Sequence, residues 1–284
     1  MTLRWKRLVS TVAVTVVVCG IVRANAQIQY QTGQNVAPVY EGWIRNDDGS
    51  LDMVFGYLNR NWEEVLYLPI GPENNVQPGG PDRGQPTIFV PRRITQPPGE
   101  RREQFVFRVR LPAEWGPKQE ITWTLTAHGR TDKAVGTLDP LEEIDTHVIA
   151  ENRAFTIIEN NKPPSIQSLK AAPDTVTLPG TVTLTARVSD DGLPKPPAAG
   201  RGGSGAAAAL LGLGGRILGL SVKWVYYRGP GIGLVKFEPQ RSGPITDGLA
   251  TTRVTFRQPG IYMLRAFADD GSLFATADIT VTVK

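Results

Sequence analysis

Short segments in which apolar and polar residues alternate set the strongest limit on how this chain folds. Neighbouring side chains of a β-strand point to opposite faces, so alternation with a period of two is typical of strands buried on one side. Six such segments, rich in Val, Thr and aromatic residues, follow one another in the second half: 175–178, 182–188, 220–227, 251–256, 262–268 and 277–283. Pro-Gly and Asp-Gly turns bound them, and no long apolar stripe at helical spacing interrupts them. This half is therefore predicted to be an antiparallel β-sandwich.

The first half shows the same alternation. Segments 40–45 and 51–57 flank Asn46-Asp47-Asp48-Gly49, which is a turn sequence that joins two strands into a hairpin. Further strands are predicted at 64–68, 104–111 and 120–127. No family is identified for this half, and a second β-sandwich is the expectation. The whole chain is thus predicted to be all-β, with two antiparallel β-sandwich domains in tandem.

A polar stretch that ends in Pro163-Pro164 marks the predicted domain boundary. A diproline favours an extended, stiff linker. The cut gives an N-terminal domain of residues 27–162, with 14 basic and 19 acidic residues, and a C-terminal domain of residues 163–284, with 13 and 8. Charges on exposed surfaces are screened over about 8 Å at physiological salt. The opposite net charges of the two domains therefore either help to orient them or reflect drift of composition.

Residues 1–26 have the features of a secretory signal peptide. Basic residues lie within positions 4–7, an apolar run covers 8–22, and Ala24-Asn25-Ala26 supplies small residues before the expected cleavage site. A retained membrane anchor needs about 20 apolar residues, and polar residues and glycine interrupt this run. A lipoprotein signal would use Cys19, but Val18 stands where such signals carry a small residue.

Removal of this segment changes the charge of the chain. The full sequence has 31 Lys and Arg against 27 Asp and Glu, but four basic and no acidic residues lie in the first 26 positions. The remainder is neutral and has no general counterion-release drive towards nucleic acid, which is therefore not an expected partner. The single cysteine, Cys19, also lies in this segment. We expect a disulfide-free exported protein, periplasmic, cell-surface or secreted, with no transmembrane segment in the mature chain.

The second half also carries a family resemblance. The residues concerned are Pro173-Asp174, Leu178-Pro179-Gly180, Val188-Ser189-Asp190-Asp191-Gly192, Val222-Lys223-Trp224, Gly229-Pro230-Gly231, Pro259-Gly260-Ile261-Tyr262, Asp269-Asp270-Gly271 and Val281-Thr282-Val283. In this order they resemble PKD-like immunoglobulin-fold domains of bacterial surface and exported proteins, although the Phe-Gly-Asp-Gly element of the better-known PKD repeats is absent. The resemblance covers about 165–284. It implies an immunoglobulin-like sandwich with Trp224 on a central strand, and a non-catalytic spacer or adhesive role.

A proline-rich segment between Pro69 and Gly99 is the first candidate for function, with eight prolines and five glycines in 31 residues. Loops of this length without regular structure are often functional. The candidate ligand-binding residues are Trp62, Arg83, Arg92 and Arg93. Guanidinium groups beside aromatic rings suit a glycan or an anionic polymer. Alternatively, the loop is an internally hydrogen-bonded cover over the sandwich.

A second unusual segment, 192–219, replaces what should be a short connection between two strands. It combines prolines, a Gly-rich stretch and an Ala-Leu stretch. The Gly-rich part is typical of a flexible tether. The Ala-Leu part is too short to span a membrane. It is read either as a tolerated loop insertion or as an apolar loop that contacts a membrane or a partner.

Asp-Asp-Gly occurs three times, at 47–49, 190–192 and 269–271. In an immunoglobulin-type sandwich the last two lie at the same end, so Asp190, Asp191, Asp269 and Asp270 are candidate oxygen ligands for calcium. Turn chemistry explains each triplet separately, because Asp caps tight turns and Gly accepts positive φ. Calcium is the single candidate cofactor, and the alternative is that the chain uses none.

Sequence signatures of catalysis are not found. The chain contains no Gly-x-Ser-x-Gly, no Walker loop and no His-Glu-x-x-His, and His128 and His147 are its two histidines. We therefore expect no enzyme. We expect a non-catalytic exported structural, adhesive or accessory binding module of the bacterial cell envelope, with an envelope protein or a polysaccharide as partner. The alternatives are a carbohydrate-binding accessory protein that uses Trp43, Trp62, Trp115 and Trp123, and a hydrolase with dispersed carboxylates.

Overall fold

The computed structural model describes residues 30–93, 101–154, 158–195 and 219–284. These residues form an all-β fold, as the sequence predicts, with one nine-residue α-helix that the sequence does not predict. Residues 31–284 belong to one compact unit. The predicted signal peptide, and most of the predicted insertion at 192–219, lie outside the described residues.

The first half consists of two three-stranded antiparallel sheets and a two-stranded ribbon. The first sheet has β1 (Val36–Arg45), β2 (Leu51–Asn59) and β6 (Glu103–Arg110); the second has β4 (Asn74–Gln77), β7 (Ile121–Ala127) and β8 (Arg130–Gly136); the ribbon has β3 (Leu66–Tyr67) and β5 (Ile88–Phe89). The predicted hairpin is confirmed, because β1 and β2 pair around the Asn46 turn. In that turn the Asp48 carboxylate accepts a hydrogen bond from the Ser50 amide at 3.0 Å.

The core of this half lies between its sheets. The Trp123 side chain is fully buried at the centre, and the Phe107 ring meets it edge-on with centroids 4.8 Å apart. Phe55 stacks on Phe107 at 5.3 Å. Buried residues alternate with exposed ones over the second half of β6 and with half-buried ones along β7, so one face of each strand points into the core.

The second half is a sandwich of a four-stranded and a five-stranded sheet. The four-stranded sheet has the order β13 (Val235–Glu238), β15 (Leu249–Phe256), β11 (Thr181–Ser189) and β9 (Ser165–Ala172). The five-stranded sheet has the order β10 (Thr175–Val176), β17 (Phe274–Val283), β16 (Gly260–Asp269), β12 (Ser221–Arg228) and β14 (Arg241–Ser242). Apart from a short parallel pair between β10 and β17, the strands are antiparallel. This division of consecutive strands between two sheets is the immunoglobulin-like arrangement.

The core of the second sandwich follows from the alternation in its sequence. Val182, Leu184 and Ala186 are fully buried on one face of β11, and the residues between them face outwards. Trp224 is completely buried and lies on β12, which is an interior strand between β16 and the edge strand β14; β16, and not β12, is the central strand of the five-stranded sheet. Tyr262 is also buried, and its hydroxyl donates to the Gln258 carbonyl at 2.8 Å.

Sequence reasoning did not predict β4, β8, β9, β13 or the helix α1 (Thr146–Ala154). β4 and β13 have four residues each, too few for a clear pattern, and β8 and β9 carry many polar residues and bury few large side chains. The helix is short, but it has a recognisable start. The Asp145 carboxylate accepts a hydrogen bond from the Val148 amide at 2.9 Å, which is an N-cap contact. A short 3-10 helix, Pro140–Glu142, precedes it.

Candidate functional site

Buried amide side chains hold the proline-rich segment in place by hydrogen bonds. Asn74 donates to the carbonyls of Leu68 at 3.0 Å and Pro86 at 2.8 Å, and it accepts from the Trp123 indole at 3.0 Å. Gln85, which is fully buried, donates to the Pro81 carbonyl at 2.7 Å. Buried backbone carbonyls need such partners. The described part of the segment, residues 69–93, is therefore held on the first sandwich by these hydrogen bonds, and residues 94–99 lie outside the described residues.

The same segment contacts the second sandwich through what we call the loop interface, formed by residues 82–87 and 227–229. The Arg228 guanidinium makes a two-pronged ion pair with the Asp82 carboxylate, with distances of 3.0 and 2.8 Å. Its Nε also donates to the Gln85 carbonyl at 2.7 Å. Such bidentate pairs are among the stronger polar contacts in proteins. The Arg228 hydrogen bond holds the pKa of Asp82 below its usual value.

Tyr227 forms the centre of the loop interface. Its hydroxyl donates to the Gly84 carbonyl at 2.6 Å, and its carbonyl accepts from the Thr87 amide at 3.2 Å. The ring is buried, and burial raises the pKa of the hydroxyl to about 12. The Arg265 guanidinium lies 3.6 Å from the ring centroid and donates to the Val106 carbonyl of β6. The two sandwiches therefore share a hydrogen-bonded network at this point.

Apolar residues from both halves also pack together, in what we call the junction cluster. Its members are Val54, Phe105, Ile144, Ile149, Ala150 and Leu273, with Ile44, Val148 and Phe274 packed against them. Helix α1 contributes Ile149 and Ala150. The Phe105 ring lies 6.0 Å from the Phe274 ring, across the two halves.

The backbone of β6 explains how Phe105 reaches the junction cluster. Strict alternation would place Phe105 beside Phe107 and Val109, which point into the first core. The register of β2 and β6 shifts at this point, and Phe105 adopts a positive φ of 53°. A bulge changes the direction of a side chain. The ring thus leaves the first core and packs against the second sandwich.

A group of polar residues is connected to Leu273 of the junction cluster by a hydrogen bond, and we call it the oxygen cluster: Asn161, Asp190, Asp270 and Ser272. Asp270 is fully buried. One of its oxygens accepts from the Ser272 amide at 2.6 Å and the Leu273 amide at 2.7 Å, and the other accepts from the Asn161 side chain at 3.1 Å. Burial is the main cause that raises the pKa of Asp270 to about 6, and the charge of Asp190 adds to it.

Other oxygens of the oxygen cluster have no hydrogen-bond partner among the described residues. These are Asp190 Oδ1, Asn161 Oδ1 and Ser272 Oγ, and all are buried. Burial also raises the pKa of Asp190. An unpaired buried oxygen destabilises a fold, and an oxygen-binding cation or a proton relieves this cost.

The calcium candidates from the sequence separate into two kinds. Asp190 and Asp270 belong to the oxygen cluster. Asp269 instead forms an ion pair with Arg153 at 3.1 Å, and Asp191 accepts from the amides of Lys162 at 2.8 Å and Leu193 at 2.9 Å. Across the described residues, no group of at least three His, Cys, Asp or Glu side chains is placed to hold a metal ion. A cation here would depend on two carboxylates together with neutral oxygens.

The predicted ligand-binding residues make contacts within the first half. Arg83 donates to the carbonyls of Pro78 at 2.9 Å and Arg110 at 3.0 Å. Arg92 donates to the Arg102 carbonyl at 3.2 Å, and Arg93 donates to the Trp62 carbonyl at 2.9 Å. These guanidinium groups support the loop, and a role for them in binding a ligand stays a prediction.

The tryptophans named for carbohydrate binding occupy different environments. Trp43 and Trp123 are buried, so their rings are not accessible for stacking on a sugar. Trp115 is partly buried against the first core. Trp62 is half-buried, and the Arg101 guanidinium lies 5.3 Å from its ring centroid. Of the histidines, His128 contacts Glu64 at 2.9 Å on the surface and His147 is exposed on α1.

No family model and no curated protein matches this chain. Solved structures with some likeness include the D00-D0 domain of Intimin, with 9% identity and a TM-score of 0.28. The match covers 87% of this chain and 99% of the Intimin chain. A chimeric titin Z1Z2 has 11% identity and a TM-score of 0.26, covering 88% and 98%. The Yersinia pseudotuberculosis adhesin InvE has 10% identity and a TM-score of 0.28, covering 88% and 59%. At these TM-scores the likeness carries no argument, and the fold assignment stands on strand order and register.

Proposed function

We propose that this chain is an exported, non-catalytic module of the bacterial cell envelope, in which two sandwiches joined as one body act as a spacer or binding platform. The proposed division is a signal peptide at 1–26, an N-terminal domain at 27–162 and a PKD-like domain at 163–284. The sequence features of residues 1–26 support export. No helix in the described ranges is long and apolar enough to cross a membrane.

The loop interface is the observation that supports this proposal most. A binding loop at the edge of a sandwich normally keeps its polar groups towards solvent. Here Arg228, with a side chain 17% exposed, and the buried Tyr227 receive the polar groups of the proline-rich segment instead. The segment is used to join the halves, which favours a structural role.

Charged groups in the junction also have structural partners. Arg265 forms a bidentate pair with Asp278, at 2.7 and 2.8 Å, and Arg153 pairs with Asp269. A catalytic acid or base needs free access to a substrate. Because these charged side chains are paired with each other, they favour a non-catalytic module.

Cell fractionation tests the proposal most simply. We expect the mature protein to begin at Gln27 and to occur outside the cytoplasm, and we expect a chain that starts at Gln27 without residues 1–26 to stay inside. Recovery of uncleaved protein in the cytoplasm would contradict export. A glycan array tests the carbohydrate alternative, and loss of sugar binding in Trp62→Ala would support it.

The oxygen cluster favours a second candidate function. This function is calcium binding at the end of the second sandwich. The donors would be carboxylate oxygens of Asp190 and Asp270 and neutral oxygens of Asn161 and Ser272. Calcium prefers oxygen ligands of these kinds, and buried oxygens without partners fit such an ion. Calcium titration followed by calorimetry tests this. We expect heat of binding in the parent chain and none in Asp190→Asn.

A further inference from the structure

The outer face of the four-stranded sheet in the second sandwich carries a regular array of threonines and basic residues. Outward residues of β11 are Thr181, Thr183, Thr185 and Arg187, those of β15 are Leu249, Thr251, Arg253 and Thr255, and those of the edge strands include Lys170 and Lys236. All of these are exposed except Thr185 and Thr255, which are half-buried. No element of the second sandwich's other sheet covers this face, because the core lies on its opposite side.

Strand register places the basic residues in two diagonal pairs, Lys236 with Arg253 and Arg187 with Lys170. Lys236 stands opposite Thr255, Arg253 opposite Thr183, and Lys170 opposite Thr185. Arg187 is the next outward residue beyond Thr185 on the same strand. Diagonal neighbours on a sheet face are about 7–8 Å apart. We call this array of four basic residues, which extends across all four strands for roughly 20 Å, the basic stripe.

Charge on this face is mainly positive. Glu238 is the acidic residue of these strands that faces outwards; it forms an ion pair with Lys236 and stands opposite Arg253, so Lys170 and Arg187 are the cations without an acidic neighbour on these strands. The side chains of Lys170 and Arg187 form no hydrogen bond or ion pair within the described residues. Threonine hydroxyls occupy the positions between the basic groups. The face therefore offers two pairs of cations, with hydroxyl donors and acceptors between them.

We propose that the basic stripe binds an anionic polysaccharide, with carboxylates of the polymer on the cations and its hydroxyls on the threonines. A flat, hydroxyl-rich surface matches the repeating hydroxyls of sugar rings. Insertion into a lipid membrane needs large apolar side chains, and Leu249 is the single large aliphatic residue among the outward positions named above. The proposal rests on the proposed export in one respect, because only an exported protein encounters a polysaccharide outside the cytoplasm.

Binding to polygalacturonate, with its fully methyl-esterified form as uncharged control, tests this inference. A variant carrying Lys170→Gln, Arg187→Gln and Arg253→Gln removes three cations of the stripe. A control carrying Lys118→Gln, Lys133→Gln and Lys284→Gln removes the same charge from exposed positions elsewhere. Exposed ion pairs are individually weak, so we expect the first variant to bind about tenfold more weakly. We expect the control to bind as the parent does, and the esterified polymer to bind to neither.

Several results would overturn the inference. These are no binding of polygalacturonate by the parent chain, equal losses in both triple variants, or binding to anionic phosphatidylglycerol vesicles in preference to the polymer. Circular dichroism spectra and melting temperatures show that the variants are folded. Fractionation reports on export independently, so an exported protein that ignores the polymer would remove this inference alone.

Discussion

The loop interface and the oxygen cluster both lie where the two halves of the chain meet, but they are built in opposite ways. At the loop interface, Asp82, Arg228 and Tyr227 have matched polar partners. In the oxygen cluster, Asp190 and Asn161 retain buried oxygens without partners. The first arrangement leaves none of these polar groups without a partner, whereas protonation of Asp270, whose pKa is raised to about 6, stabilises the second.

The two regions also depend on pH in opposite directions. The pKa of Asp82 is lowered in the folded chain, so its contribution is present above the unfolded value of 3.8 and is lost as the pH falls further. The pKa of Asp270 is raised to about 6, so its contribution is complete below 3.8 and is lost as the pH rises through 6. The junction therefore contains two contacts whose contributions to stability change with pH in opposite directions.

Removal of the Arg228 side chain should have the largest effect. Arg228→Ala loses the pair with Asp82 and leaves the buried Gln85 carbonyl without its donor. Hydrogen bonds of charged groups contribute about 1.5–3 kcal/mol, so we expect unfolding to become easier by about 3 kcal/mol. Urea denaturation measures this. Arg257→Ala, at an exposed position, is the matched control and should change stability by less than about 0.5 kcal/mol. Equal effects of the two substitutions would contradict a stabilising loop interface.

Raising the pH from 5 to 7.5 should destabilise the chain through Asp270. A shift of one pKa unit corresponds to about 1.4 kcal/mol, and we expect a loss of about 1–3 kcal/mol over this range. Asp270→Asn should remove most of this dependence, because the new amide is neutral at both pH values. Denaturation at the two pH values checks this. A pH dependence that is unchanged in the variant would assign it to other groups.

Tyr227→Phe should have a smaller effect than loss of Arg228. The ring stays in place under Arg265, and the Gly84 carbonyl loses one donor. We expect a loss of about 1 kcal/mol. Tyr30→Phe, at an exposed position, provides a control that should have no measurable effect. A neutral result at Tyr227 would show that its hydroxyl does not contribute.

Addition of calcium should have the smallest effect on stability, and it should act on the oxygen cluster and not on the loop interface. If the oxygen cluster binds the ion, millimolar calcium should raise the melting temperature at pH 7.5 and raise it less at pH 5, where Asp270 is protonated. The loop interface should not respond, so Arg228→Ala should show the same calcium shift as the parent chain. An equal shift at both pH values would rule out Asp270 as a ligand.

Most of the strands can be predicted from the sequence, but the contacts between the two halves cannot. Alternation predicts β7, β11 and β16, since one face of each is buried in a core. It does not predict that Phe105 leaves this pattern, because the bulge in β6 depends on pairing with β2. The Asp-Asp-Gly triplets drew attention to Asp190 and Asp270. That Asp269 and Asp191 are used in other contacts depends on Arg153 and Lys162, which are distant in sequence.

The loop interface and the junction cluster join the two sandwiches, so we expect the two sandwiches to unfold as one body. Hydrogen exchange of backbone amides at increasing urea measures this directly, with β7 reporting on the first core and β16 on the second. We predict that both strands lose protection at the same urea concentration, and that in Arg228→Ala they separate. Loss of protection in one strand while the other stays protected in the parent chain would contradict the claim.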